Sequence, residues 1–396
     1  MTREIYLKSL WRPYPKALKD DIKNELIKSR WSDPIADGIL GEFTQQGEFI
    51  THGFKASDIL VLGDIVLMKE HHIQLLAPNI GQKSLEQINK EKNHLLKWNG
   101  FLKSLRKFFE TSGFLEIQTP TLVPSSGSET FLRPFTSNGY CLPTSPEFHL
   151  KRALVLGIEN AFEIRSCFRQ EENTPQHAAE FTMLEWYRSF AGIDAIQKDV
   201  YDLFKYVNDN IEGAIRFDGS ITLKSMAEVF REYLNFDLTP QTSREELKKL
   251  AIDRRTHFDP SDSWNDLFHR LFIEHVEPRL GLVTPLILKD FPPSQSALAR
   301  LNEKGWADRF EVYFRGFEIA NAYDELNDPI ENSKRFLTWQ KEKRDLGSFV
   351  PPVDDGLIEA LRLGMPPSGG IALGVDRLFM AFFGIKDIRE IPVFRD

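Results

Sequence analysis

Cysteine is nearly missing: Cys141 and Cys167 are the only two in 396 residues. Two thiols are too few for a disulfide framework or a four-ligand zinc site, and they suit a reducing compartment. No run of about 18 apolar residues occurs that could span a membrane, and no N-terminal stretch is apolar enough for a signal peptide. The expected setting is cytoplasmic, with no membrane partner. A basic excess is missing as well. Lys and Arg number 50 against 58 Asp and Glu, a net charge of −8. That excludes a general nucleic-acid binder, because phosphate affinity comes from cations displacing counterions, but it leaves room for a local basic patch. Disorder has no compositional sign either, since 41% of residues are apolar and 27% charged, as in ordinary globular proteins.

A chain of this length buries a large core and predicts two domains, or one large domain with an appendage. Residues 1–30 hold eight basic against four acidic side chains, with Leu18, Ile22 and Leu26 at helical spacing. They read as an amphipathic helix, either docked by its apolar stripe or touching an acidic partner. From Asp37 to Asn79 short β-type runs follow, GILGEF, GEFITHGF, DILVLGDIVLMK and HIQLLAP. They predict a small antiparallel sheet or barrel, short for a complete oligonucleotide-binding barrel. The expected division is a small module over 1–80, a polar linker over 81–94, and a large domain over 95–396. The latter opens on a helix striped by Leu95, Leu102, Leu105 and Phe109, stopped at Ser112-Gly113.

The most informative stretch is FRQEENTPQHAAEFTMLEWY, residues 168–187, which reads as a β-hairpin. On its return strand, alternation puts Phe181, Met183, Glu185 and Tyr187 on one face and Glu180, Thr182, Leu184 and Trp186 on the other. A carboxylate on each face of an aromatic strand is costly if buried without partners. The hairpin is therefore either a ligand site or a salt-bridged surface. Elsewhere, Pro120 follows the long helix in FLEIQTPTL and suits a strand edge or an interface. TSPEFHLKRALVLG puts Ser145, Pro146 and Glu147 at a helix start, where the dipole alone explains an acid. RFEVYFRGFEIANAYDEL reads as a second hairpin. There Asn321, Tyr323 and Glu325 share a face, and Glu318 joins them only through a bulge. GMPPSGGIALGVDRLFMAFFG is a glycine-flanked strand before a hydrophobic helix. Its Arg377 opposes the helix dipole and is better explained by a bound anion.

Taken in order, Pro120 after its helix, FRQEE…HAAEFTMLEWY and GIALGVDRL resemble the three motifs of class II aminoacyl-tRNA synthetases of the lysyl type, over about residues 95–396. TSPEFHLKR, FPPSQSALA, ELND and GIALGVDRL are similar to the stand-alone paralogues of that subgroup that attach (R)-β-lysine to elongation factor P. The resemblance implies an α+β fold: a six- or seven-stranded antiparallel sheet flanked by helices, a reduced OB-like N-terminal domain, and a homodimer formed through the segment around Pro120.

It also implies ATP-dependent activation of lysine or (R)-β-lysine. ATP would be held by Arg169, Gln170, Glu171, His177, Phe181, Glu311, Val312, Gly374 and Arg377. Arg169 and Arg377 would be the catalytic pair, with Phe181 under adenine and Mg²⁺ carried by Glu311 and Glu318. The amino acid would be held by Ser145, Pro146, Glu147, Glu185, Tyr187, Glu318, Asn321, Tyr323, Glu325 and Ala372. Several carboxylates around one pocket select a dication. The acceptor implied is a lysine of elongation factor P, with tRNA as the alternative and a non-catalytic binding protein as a third reading. Lysyl-tRNA synthetases usually carry Ala at Ser145 and Gly at Ala372, and an added methyl at Ala372 crowds an α-amino group. Ala178 and Ala179 replace the usual Asn-Pro after the motif histidine, removing one side-chain contact to ATP.

Overall fold

The computed structural model describes residues 85–391 except 128, 129, 131 and 171–173, and, of the first 84 residues, seven strands; side chains are described from residue 90 onward. Two compact units divide the chain, Met1–Leu96 and Lys97–Asp396.

In the first unit the β-type runs give strands Gly38–Glu42 (β3), Ile50–Thr51 (β4), Phe54–Lys55 (β5), Ile65–Lys69 (β6) and His72–Ala77 (β7), and Pro13–Tyr14 (β1) and Pro34–Ile35 (β2) precede them outside those runs. Five form an antiparallel sheet in the order β1-β7-β6-β3-β2, and β4 and β5 pair separately as a hairpin. The helix expected around Leu18, Ile22 and Leu26 lies outside the described residues.

Helix α1 (Leu85–Thr111) begins within the stretch read as a linker and buries Phe101, Leu105, Phe108 and Phe109. Gly113, at φ +77, lets the chain turn out of it. There follow β8 (Leu115–Glu116), the small hairpin β9 (Thr136–Ser137) and β10 (Tyr140–Cys141), α2 (Glu147–Val155), β11 (Asn160–Phe168), β12 (Glu180–Ser189) and α3 (Ile193–Asn210). Next come β13 (Thr222–Ser225), then α4 (Met226–Leu234), α5 (Arg244–Arg254) and α6 (Trp264–Leu271). Ser225, Ser243 and Ser263 start these three helices with capping boxes, each serine accepting an amide while an acid three residues on returns the bond. β14 (Leu286–Phe291), β15 (Ala307–Phe314), β16 (Phe317–Asp324), α7 (Pro329–Asp345), α8 (Asp355–Gly364), β17 (Ser368–Gly374) and α9 (Val375–Phe383) complete the unit.

The sheet has eight strands in the order β13-β14-β15-β16-β17-β12-β11-β8. This corrects the expected six or seven. Its central six strands are antiparallel, and each edge adds a short strand in parallel, β13 beside β14 and β8 beside β11. One face is sealed by α1, α3 and α9: Phe162, Leu184, Trp186, Phe310, Val312, Ile371 and Leu373 lie in a single apolar cluster with Phe109, Phe204 and Phe379. Phe109 stacks on Phe162 at 4.9 Å between ring centres and meets Trp186 at 5.0 Å, so replacing Trp186 by Ala would cost about 3–5 kcal/mol. A second cluster joins α2 to α7 and α8 through Phe148, Leu150, Phe336, Leu357 and Leu361. The part of the sheet's other face that no helix seals carries the polar side chains.

Candidate active site

Strand register builds the site. Glu163 of β11 stands opposite Glu185 of β12, Glu185 opposite Ala372 of β17, Ala372 opposite Asn321 of β16, and Asn321 opposite Glu311 of β15. One polar row thus crosses five strands. The next row runs Ala161, Tyr187, Gly370, Tyr323 and Arg309. The alternation predicted for β12 holds: Phe181, Met183, Glu185 and Tyr187 line a cavity, while Leu184 and Trp186 enter the apolar cluster beneath. The bulge needed for Glu318 is present. Val312 pairs with Ala320 but Tyr313 with Glu318, so Ile319 is an extra residue and Glu318 joins Asn321 and Tyr323 around the cavity.

At one end of the cavity three carboxylates converge. Ser145 lies just before α2, donates to Glu185 Oε1 at 2.6 Å and accepts the Glu147 amide at 3.0 Å. Tyr187 donates to Glu185 Oε2 at 3.3 Å. Glu185 is fully buried, and burial, with the Glu147 charge, pushes its carboxyl up to about 8. Glu325 is fully buried too, and burial raises it to about 8 against the pull of Lys151. The Lys151 ammonium sits between Glu147 Oε1 at 2.5 Å and Glu325 Oε2 at 2.6 Å. Tyr187 and Glu325 reach these places because position 370 is glycine. A Cβ there would lie 2.2 Å from Tyr187 Cε1 and 2.4 Å from Glu325 Oε1.

At the other end Arg169 lies with its guanidinium 5.0 Å from the Phe181 ring centre. Arg377, in the first turn of α9, donates to the Glu318 carbonyl at 2.9 Å and meets His177 Nε2, while Thr174 Oγ1 holds His177 Nδ1 at 2.8 Å. Beside it, Asp376 accepts the Thr182 amide at 2.5 Å, fixing the start of the helix to β12. Burial and the neighbouring Glu311 charge push Glu318 up to about 7.

The cavity gathers Ser145, Glu147, Arg169, His177, Phe181, Glu185, Tyr187, Glu318, Asn321, Tyr323, Glu325, Ala372, Gly374 and Arg377, all residues singled out from the sequence. Others fall elsewhere. The Gln170 amide donates to the Pro134 carbonyl, away from the cavity. Val312 has its side chain in the core below the sheet, so only its backbone is left to meet a ligand. Pro146 caps α2 without lining the cavity. Glu311 is buried beside it, held by Arg309 and by the Tyr313 hydroxyl at 2.6 Å. Glu171 lies outside the described residues.

Sequence reasoning missed Lys151, Arg309 and Gly370. Lys151 had one available signal, its place four residues after Glu147 on the same helix face. Arg309 shares a strand face with Glu311 and forms an ion pair with it. Among the described residues no cluster of three or more His, Cys, Asp or Glu stands ready for a metal. A cation beside Glu311 and Glu318 would need phosphate oxygens among its ligands. No helix of the described residues is long and apolar enough to cross a membrane.

An eight-stranded, centrally antiparallel sheet with an arginine-bearing hairpin and a glycine-to-arginine helix start defines a class II synthetase-type domain. The family model for class II tRNA synthetases (D, K and N) matches residues 82–396. The chain belongs to that family. Among curated proteins it is 35% identical over 315 residues to the elongation factor P–(R)-β-lysine ligase of Photorhabdus laumondii, a match covering 76% of this chain and 94% of that protein. It is 34% identical over 319 residues to the protein of the same name from Proteus mirabilis, covering 76% and 95%.

Proposed function

We propose that this protein uses ATP to activate a lysine-type diamino acid, (R)-β-lysine first of all, as its adenylate, and passes the acyl group to a lysine side chain of elongation factor P. One observation carries the reading: a single strand, β12, presents Phe181 beside Arg169 and, four and six residues on, Glu185 and Tyr187 among the buried carboxylates of the same cavity. Adenine would stack on Phe181. The substrate carboxylate would attack the α-phosphorus as the bond to the β-phosphate oxygen breaks and pyrophosphate leaves. Arg169 would stabilise the charge on the pentacovalent phosphorus, and Arg377 would meet the γ-phosphate. Mg²⁺ held by Glu311 and Glu318 would offset phosphate charge and relieve the repulsion between those two acids. In the second step the acceptor amine attacks the acyl carbon, loses a proton, and AMP departs.

Buried carboxylates favour a diammonium substrate, since a neutral side chain would leave them unpaired. The Ala372 methyl lies in the row between Glu185 and Asn321, where it narrows the space for an α-amino group and favours a β-amino one. The enzyme would be cytoplasmic and act as a homodimer through the segment around Pro120, where Leu115 and Leu122 are 53% and 56% exposed. Two assays test the reading. Pyrophosphate exchange should run faster with (R)-β-lysine than with α-lysine, and a strong preference for α-lysine would overturn the substrate assignment. Incubation with elongation factor P and, separately, with lysine tRNA should add mass to the protein alone; charging of tRNA would overturn the acceptor.

A further inference from the structure

We propose that Lys151 is a specificity-determining positioning residue: its buried ammonium neutralises one of the three acids of the amino-acid cavity, leaving two carboxyl groups to ionise against two substrate ammoniums. The inference rests on the diamino-acid reading above and adds to it a reason why a fully buried lysine stands inside a cation-binding pocket.

Lys151 is only 2% exposed, and its Nζ lies 2.5 Å from Glu147 Oε1 and 2.6 Å from Glu325 Oε2. Among the described residues, the charged and titratable groups facing this cluster are few. From α2 come Glu147 and Lys151, from β12 Glu185 and Tyr187, and from the end of β16 Glu325, with Asp324 next to it. Burial would by itself depress the ammonium, yet Glu147 and Glu325 hold it above its ordinary range, so it is a fixed cation. Glu325 has its other oxygen, Oε1, buried without a hydrogen-bond partner, in the wall of the cavity. Oε2 faces the Lys151 ammonium, and Oε1, beside Gly370, is a buried acceptor that an incoming donor would satisfy. Lys151 thus has two effects. It anchors Glu325, and it lowers the cost of ionising Glu185 and Glu325 when a substrate ammonium enters. Without it, Glu185 and Glu325 would hold their protons to still higher pH, and a substrate ammonium would displace them at greater cost.

The test is amino-acid-dependent pyrophosphate exchange as a function of pH for the full chain, Lys151→Met, and the charge-balanced Lys151→Met/Glu147→Gln. For Lys151→Met, KM for the diamino acid should rise about thirtyfold or more at neutral pH, as expected when one partner of a buried charge pair is removed. The alkaline midpoint of its KM profile should move up by about one unit, with kcat and the KM for ATP much less affected. The double variant, again with two carboxylates for two ammoniums, should recover most of the loss. A KM change independent of pH, or a double variant no better than the single one, would mean that Lys151 only packs the core and would overturn the proposal. If Lys151→Met aggregates while the double variant folds, that rescue supports charge pairing; if neither folds, Lys151 is a core-building residue and the proposal fails. The wild-type arm separates the two levels of inference: no exchange with any diamino acid refutes the function, whereas normal wild-type exchange with pH-insensitive variants refutes only the role of Lys151.

Discussion

A methyl group at position 370 would collide with Tyr187 and Glu325 at once, which makes Gly370 a residue whose replacement reads out the amino-acid end of the site alone. Gly370→Ala should raise the KM for the amino acid about tenfold or more, from the roughly 1–3 kcal/mol that overpacking costs, while the KM for ATP stays near its wild-type value. Steady-state exchange kinetics would show the split, and an equal rise in both constants would contradict it. Arg169→Ala should cut the rate of adenylate formation by about 10²–10³-fold, the loss expected when one preorganised donor to a developing charge is removed. Single-turnover measurement of AMP-linked product checks this, and substantial residual rate would mean that another cation meets the α-phosphate. At this scale the acids and the aromatic residue were legible, because a charge on an apolar strand stands out. Lys151 was not, since a basic pair inside a helix reads as solvated surface until its Cβ direction is known.

Within single elements, parity did most of the reading. The alternation of β12 fixed which of its residues face the cavity, and the misfit of Glu318 called for the bulge that Ile319 supplies. What parity could not give was register between strands far apart in sequence. Glu185 opposite Ala372, or Ala372 opposite Asn321, follows from packing that no single hairpin contains. The same limit hid the second function of Asp376. Sequence explains it as an acid at a helix start, yet its carboxylate also fastens α9 to the Thr182 amide. Asp376→Ala should therefore destabilise the large domain by about 1–3 kcal/mol, the cost of leaving a part-buried amide unpaired. Asp376→Asn should keep part of that bond. Denaturant midpoints of the two variants would decide it, and equal midpoints for Ala and wild type would remove the tie from the account.

At the scale of the whole molecule the cavity stores unfavourable electrostatics, and that predicts how stability follows pH. Burial lifts Glu185 and Glu325 from an ordinary 4.5 to about 8. In the folded protein these groups keep protons that the unfolded chain has already released, so stability is greatest below the unfolded value and falls as pH rises through the folded ones. The melting temperature of the ligand-free protein should drop between about pH 5 and 8 by several degrees. A saturating diamino acid should restore most at the alkaline end. Scanning calorimetry at both pH values, with and without the ligand, checks the sign, and a melting temperature that rises over this range would refute it. The β-type runs between Asp37 and Asn79 and the apolar stripe of α1 left their periods in the sequence. Of the two parallel edge strands, β8 falls in the FLEIQTPTL stretch that suits a strand edge, whereas β13 left no pattern, and the parallel pairing of both was not legible.

The polar row across β11, β12, β17, β16 and β15 has a consequence for how the protein comes to be functional. β17, which lies between β12 and β16, is the last of the five to leave the ribosome. Until it inserts, Glu185 and Asn321 have no common neighbour, and a nascent or locally opened chain owns two half-sites rather than a weak whole one. Binding competence therefore requires β17 in place between its two neighbours. In a native-state hydrogen-exchange experiment the amides of β12, β16 and β17 should open together, and amino-acid ligand should slow all three alike.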